Sequence, residues 1–236
     1  MSSFYSSRSP QVGLAGRITP GIKWLIIANV AVFILQVLAI SHGGRGIESI
    51  FGLTPRLVFD SLWLWQPVTY MFLHTTDWLG HLLLNMFMLW MFGTEIERIW
   101  GTREFVKYYF LCGIGAGLMT CLIFPDSTTI GASGAVFGVM LAYALLFPNR
   151  QILFWFIFPM RALSFMLLCA GIEMYLLFRL QDGIAHLAHL GGMLFGYLYL
   201  KRVWRLRQFW NDLRWKLRRR RFRIMQRRDD ENYPYH

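Results

Sequence analysis

Charge is scarce in this chain: Asp, Glu, Lys and Arg make up 16% of its 236 residues, while 56% are hydrophobic. A soluble domain carries about a quarter of its residues charged, so an ordinary water-soluble fold is excluded and an integral membrane protein is indicated. Acids are the scarcer sign, 13 against 24 cations. Cysteine is limited to Cys112, Cys121 and Cys169, all inside apolar stretches. Their odd number and their place inside apolar stretches favour packing residues over a disulfide framework, and their spacing matches no metal motif. There is no HExxH and no third ligand beside His186 and His189 in the sequence pattern, so neither zinc nor any other cofactor is expected. Long repeats and low-complexity segments are absent. No small-x-small cleavage signal follows the first apolar stretch, which is therefore read as a retained helix.

Apolar stretches of spanning length recur instead. They run from Trp24 to Ile40, Trp78 to Thr94, Tyr108 to Phe124, Ile130 to Phe147, Ala162 to Phe178 and Ile184 to Leu200. Six spans put both termini on one side. Arg8, Arg17 and Lys23 precede the first, Arg98, Arg103 and Lys107 separate the second and third, and Arg150 and Arg161 separate the fourth and fifth. Cations are retained on the cytoplasmic side during insertion, so both termini are expected there, in a bacterial cytoplasmic membrane.

The net charge of +11 does not indicate nucleic-acid binding, because the segment from Lys201 to His236 holds 13 cations and four acids and so accounts for +9 of it. Within this tail Val203, Leu206, Trp210, Leu213 and Leu217 step by three and four residues. That spacing makes an amphipathic cationic helix suited to an anionic inner leaflet. The expected organisation is a cytoplasmic segment over 1–21, a membrane domain over 22–202 and a basic tail over 203–236.

Roughly 40 residues separate the first two spans, long for a connector. The segment is rich in Phe51, Phe59, Trp63, Trp65, Tyr70 and Phe72 but broken by Pro55 and Pro67. Such a stretch is expected to lie half-submerged at the outer interface.

Within the spans, polar groups are few and placed alike. With the amino terminus inside, the second, fourth and sixth spans run inward from the outer face, and His81, Asn85, Ser133 and His189 all fall in their first halves. Serine needs a base to take its proton, and imidazole has a suitable pKa near neutrality. Gly131-Ala132-Ser133-Gly134 taken alone fits helix packing better than catalysis. The surrounding pattern reverses that reading. Gly134 with Gly138, and Gly192 with Gly196, form GxxxG pairs that permit close approach of the fourth and sixth spans and bring Ser133 towards His189. His81 and Asn85, four apart, share one helix face and are suited to donate hydrogen bonds to an oxyanion, assisted by the Ser133 backbone N–H at the helix start.

The residues His81-Leu-Leu-Leu-Asn85, Gly131-Ala132-Ser133-Gly134 and Ala188-His189-Leu190-Gly191-Gly192 with Gly196 resemble the rhomboid family of intramembrane serine proteases. The resemblance covers roughly Ile22 to Leu200, with the motifs in order. It implies an all-α, six-helix bundle with a long interfacial first loop, and an endopeptidase that cuts transmembrane protein substrates near the outer face. It further implies a dyad of Ser133 and His189 without a third acid, with Asp182 no orienting partner. Phe137 resembles the aromatic residue on which the imidazole packs, core packing being the compatible alternative. Trp65-Gln66 stands where many members carry Trp-Arg, and Glu97, Arg98 and Arg103 resemble a structural patch.

Other polar residues receive plainer expectations. His186 is read as interfacial, His74 as structural, and Glu173 as snorkelling or paired with a loop group rather than lining a substrate gate. Two further classes of function compete with a protease. A non-catalytic rhomboid-like protein that binds transmembrane clients would typically lack the dyad. A small transporter would need paired broken helices and charged midplane sites, and neither is evident.

Overall fold

The computed structural model describes residues 17–41, 46–154, 158–179 and 183–203. The expectations for the first 16 residues, Asp182 and the amphipathic tail beyond Val203 fall outside these. Two compact units divide after Tyr197. The first contains the whole of the candidate site; of the second, residues 198–203 are described, as helix.

The described chain is mostly helical. Helix α1 (Pro20–Ser41) is followed by three short helices, α2 (Gly46–Phe51), α3 (Pro55–Asp60) and α4 (Gln66–Thr69), and a 3-10 turn at Tyr70–Phe72. Then come α5 (Gly80–Trp100), α6 (Thr102–Ile123), α7 (Ser133–Leu146), strands β1 (Gln151–Phe154) and β2 (Phe158–Arg161), and α8 (Ala162–Arg179). A last helix, α9, runs over 184–203. Among the described residues α1, α6 and α8 are long and apolar enough to cross a membrane. Their lipid-facing sides account for exposed apolar residues such as Ile34, Leu122 and Phe178.

One departure from an all-α fold is the antiparallel hairpin β1–β2, paired from Gln151 with Arg161 to Phe154 with Phe158. It occupies the connection expected between the fourth and fifth spans. A short apolar run is ambiguous between strand and helix by periodicity alone, and this one is too short to continue as helix.

Local chemistry sets the helix limits. Pro20 and Pro55 occupy first-turn positions, where a missing N–H costs nothing. Gly101, at φ 80, ends α5 and turns the chain directly into α6. Glu97, buried near the end of α5, accepts hydrogen bonds from the Gly21 and Ile22 backbone N–H groups at 2.7 and 2.9 Å, and from the Thr19 and Thr102 hydroxyls at 2.5 and 2.6 Å. This carboxylate satisfies the otherwise unpaired N-terminus of α1 and fastens it to the α5–α6 corner. Arg98 continues the patch through the Arg17 carbonyl at 2.8 Å and Glu95 at 3.1 Å.

The segment between α1 and α5 is held by polar clamps. Buried Gln36 of α1 bonds both the N–H and the carbonyl of His74, each at 3.0 Å. Gln66, also buried, accepts from the Thr54 N–H at 3.0 Å and donates to the Ile50 carbonyl at 3.2 Å. A neutral amide thus joins α2 to α3 at the position next to Trp65. Phe59, Leu62, Leu64 and Trp65 remain exposed on this segment, while Leu53, Tyr70, Met71 and Leu73 are buried beneath it.

Helix α7 is the centre of the unit, packed chiefly on α6 and α5. With 14 residues it rises about 21 Å, short of the roughly 30 Å hydrocarbon thickness. Alone it is too short to cross that thickness.

Candidate active site

Glycines bring α7 against its neighbours. A Cβ added at Gly192 of α9 would overlap the Gly134 carbonyl group, and one at Gly138 would lie 3.0 Å from the Gly192 oxygen and 2.5 Å from the Cys112 sulfur. At Gly134 it would lie 2.5 Å from the Ala116 Cβ and 3.2 Å from the Ala188 carbonyl oxygen. Backbone therefore touches backbone where α7 and α9 cross. Gly196 takes a different part from the one expected of it: its open side faces Tyr108 and Cys112 of α6, not α7.

This crossing sets Ser133 beside His189, with Oγ 2.8 Å from Nε2. The imidazole is stacked on Phe137, ring centroids 4.3 Å apart and planes 15° from parallel. A stacked ring fixes the imidazole plane, leaving rotation within that plane to be set by hydrogen bonds.

Gly131 shapes the approach to the serine. Its φ of 122 lies where side-chain-bearing residues are strained, and its N–H bonds the Tyr70 carbonyl at 2.9 Å. A Cβ there would sit 3.2 Å from His81 Nε2 and 3.7 Å from Ser133 Oγ. The hydrogen in its place leaves a small gap between a histidine nitrogen and the serine oxygen. The two glycines flanking Ala132-Ser133 thus divide the work, Gly134 permitting helix approach and Gly131 the turn.

On the facing wall, His81 Nδ1 accepts a long hydrogen bond, 3.3 Å, from the Thr75 N–H. That assigns the ring hydrogen to Nε2, the nitrogen directed at Gly131, as a donor. Asn85 uses one amide hydrogen on the His81 carbonyl at 2.8 Å and retains another. Ser133 and Gly134 are the first residues of α7, and their N–H groups have no acceptor within the helix.

His81, Asn85, Ser133, Glu173 and His189 share one cavity of about 930 Å³, otherwise lined mainly by apolar side chains. It extends along α7 to Ile152 of the hairpin. Beside it, the second half of α8 contributes no buried residue to the unit.

Two sequence expectations change. Glu173 neither snorkels nor pairs with a loop: Oε2 lies 2.6 Å from His186 Nδ1 and 3.0 Å from His189 Nδ1. His186 accordingly faces Glu173 instead of the interface alone. The three-residue spacing of the histidines was a visible signal of a shared face, but the rotation of α8 against α9 was not. His74 is buried beside His81, ring centroids 5.1 Å apart, at the back of the site. Burial, reinforced by the neighbouring His81, lowers its pKa to about 4 and keeps it neutral.

Fold and site together define a polytopic helical membrane protein in which a short central helix presents a serine to a stacked histidine at a largely apolar cavity. Residues 62–206 match the rhomboid domain, and the chain belongs to the rhomboid family. It is 31% identical over 204 residues to Rhomboid-like protein 11, chloroplastic, of Arabidopsis thaliana, covering 80% of this chain and 66% of that one. It is 34% identical over 142 residues to Rhomboid protein 1, mitochondrial, of Saccharomyces cerevisiae, 54% of this chain and 38% of that one. It is also 32% identical over 137 residues to Rhomboid protease GluP of Bacillus subtilis, 56% and 26% of the two chains. The chain spans less than two thirds of the length of each of these relatives.

Proposed function

We propose that this protein is an intramembrane serine endopeptidase, with six spans and both termini on the cytoplasmic side, that cleaves transmembrane protein substrates near the outer face. The observation that carries this reading is the 2.8 Å contact between Ser133 Oγ and His189 Nε2 in a cavity that also holds His81 and Asn85. His189 removes the serine proton as Oγ bonds to the scissile carbonyl carbon, and returns it to the leaving amine. The oxyanion is accommodated in the gap above Gly131, with His81 Nε2, the second Asn85 hydrogen and the Ser133 N–H as donors. Water then hydrolyses the acyl-enzyme by the same proton path. Water reaches the dyad through the cavity shared by Ser133 and His189, open to the outer side. A substrate helix must unwind to expose its peptide bond, favouring substrates with Gly, Pro or small residues near the cut. Phe137, Gly131, Gly134, Gly138 and Gly192 support the geometry, and no metal or cofactor enters the scheme. The basic tail is assigned to the anionic inner leaflet.

The intact Ser133–His189 contact favours this reading over a protein that only binds transmembrane clients. Purified protein in liposomes with a single-span reporter tests it. Cleavage is expected from the parent and from neither Ser133→Ala nor His189→Ala, with a fluorophosphonate labelling Ser133. Undiminished cleavage by both variants would refute it.

A further inference from the structure

Glu173 is an ionisable group at membrane depth that the proposed chemistry does not use. A carboxylate there is costly, and its ordinary relief is to reach for water at the interface. Glu173 turns inward instead, onto both histidines of α9. The side chains are well shielded, with 12% exposure for Glu173 and 15% for each histidine.

The hydrogen-bond needs of His189 give this contact a role. For Nε2 to accept the Ser133 proton, the ring hydrogen must reside on Nδ1. Nδ1 is buried and makes no aligned hydrogen bond. A buried N–H requires an acceptor, and Glu173 Oε2, 3.0 Å away, is the carboxylate oxygen within reach. His186 Nδ1, at 2.6 Å, holds the same oxygen from the turn before. The remaining titratable neighbours are Cys169, one turn earlier on α8, and His81 across from His189 on α5.

We propose that Glu173 is a positioning residue for His189, accepting its Nδ1–H, fixing the tautomer that leaves Nε2 free, and stabilising the imidazolium, with His186 holding the carboxylate. The inference rests on the serine-protease reading above. As Oγ bonds to carbon, the hydroxyl proton passes to Nε2 and the carbonyl π pair moves to the oxyanion. The proton then leaves with the amine, and Glu173 remains ionised throughout.

The test is kcat and KM against pH for the full chain in detergent, in the parent, Glu173→Gln and Glu173→Asp, with active sites counted by fluorophosphonate. Glu173→Gln is expected to lower kcat per active site about 10- to 100-fold with KM within about twofold. The acid limb of kcat/KM should move down by about one pH unit, since the imidazolium loses its adjacent negative charge. Glu173→Asp should recover part of both effects. A Glu173→Gln variant that keeps kcat within about threefold, with an unmoved acid limb, overturns the proposal. So does one that only loses active sites. If Glu173→Gln does not fold, Glu173→Asp decides: shortening by one methylene withdraws the carboxylate by about 1.5 Å, and an unchanged kcat and limb overturn the proposal. Cleavage surviving in Ser133→Ala would sink the protease reading and this inference with it. Ser133-dependent cleavage indifferent to Glu173 would sink this inference alone.

Discussion

Replacing Gly192 by alanine perturbs the one crossing on which the proposed chemistry depends. The added Cβ would overlap the Gly134 carbonyl oxygen and lie 2.6 Å from its carbon. Ordinary van der Waals contact begins near 3.4 Å. The obstructing atoms are backbone, so no side-chain rotation relieves the clash, and α7 and α9 must separate by more than about 1 Å. Ser133 immediately precedes the obstructing residue, and its oxygen is 2.8 Å from His189 Nε2. A separation of that size carries the pair beyond hydrogen-bond range. Misplacement by about 1 Å can cost about 100-fold in rate, and overpacking about 1–3 kcal/mol in stability. The measurement is kcat on a reporter substrate beside the apparent Tm in detergent, with two comparison variants. At Gly196→Ala the Cβ meets the Tyr108 hydroxyl at 2.5 Å, a side-chain atom instead of backbone, so the loss should be smaller. Gly171→Ala meets nothing within 4 Å and should be neutral. If Gly192→Ala keeps kcat within about threefold of the parent, the close crossing is not what aligns the serine with its base.

Three further outcomes follow from the frame around the site. Glu97→Ala leaves the Gly21 and Ile22 N–H groups without their acceptor and should cost about 2–5 kcal/mol, seen as a lower Tm, with Glu97→Gln intermediate. His74 makes stability fall in acid. Its folded pKa of about 4 lies below the ordinary 6.5, so the unfolded chain binds the proton first. The loss begins as pH drops through 6.5 and is complete below about 4, amounting to about 3 kcal/mol, and His74→Leu should remove that part of the Tm-against-pH slope. Gln66→Leu strands the Thr54 N–H and leaves the Ile50 carbonyl to Trp65 Nε1 alone, and should increase proteolysis between α1 and α5 at similar overall helicity, checked by limited digestion and circular dichroism.

Much of this protein is legible along the chain because a membrane imposes one-dimensional rules. Every backbone polar group must be satisfied within hydrocarbon, so apolar runs of sufficient length announce helices, and α1, α6 and α8 lie where the runs predict them. Polar residues are costly there, and His81, Asn85, Ser133 and His189 stand out among those present because they fall in the first halves of alternate runs. Their depth follows from helix rise, and the glycine spacing shows which faces can approach. The sequence could not supply rotation about each helix axis. Gly196 belongs to a GxxxG pattern, but the atoms nearest its open side are Tyr108 and Cys112 of α6. Glu173 is visible as the acid of its apolar run, yet only the packing of α8 decided that it turns onto His186 and His189. The pairing of Gln151–Phe154 with Phe158–Arg161 was not visible in the connection between the fourth and fifth spans, because pairing between strands is a tertiary fact. Spacing along a helix fixes depth and relative face, whereas orientation is set by whichever neighbours bury the most surface and leave the fewest polar groups unpaired.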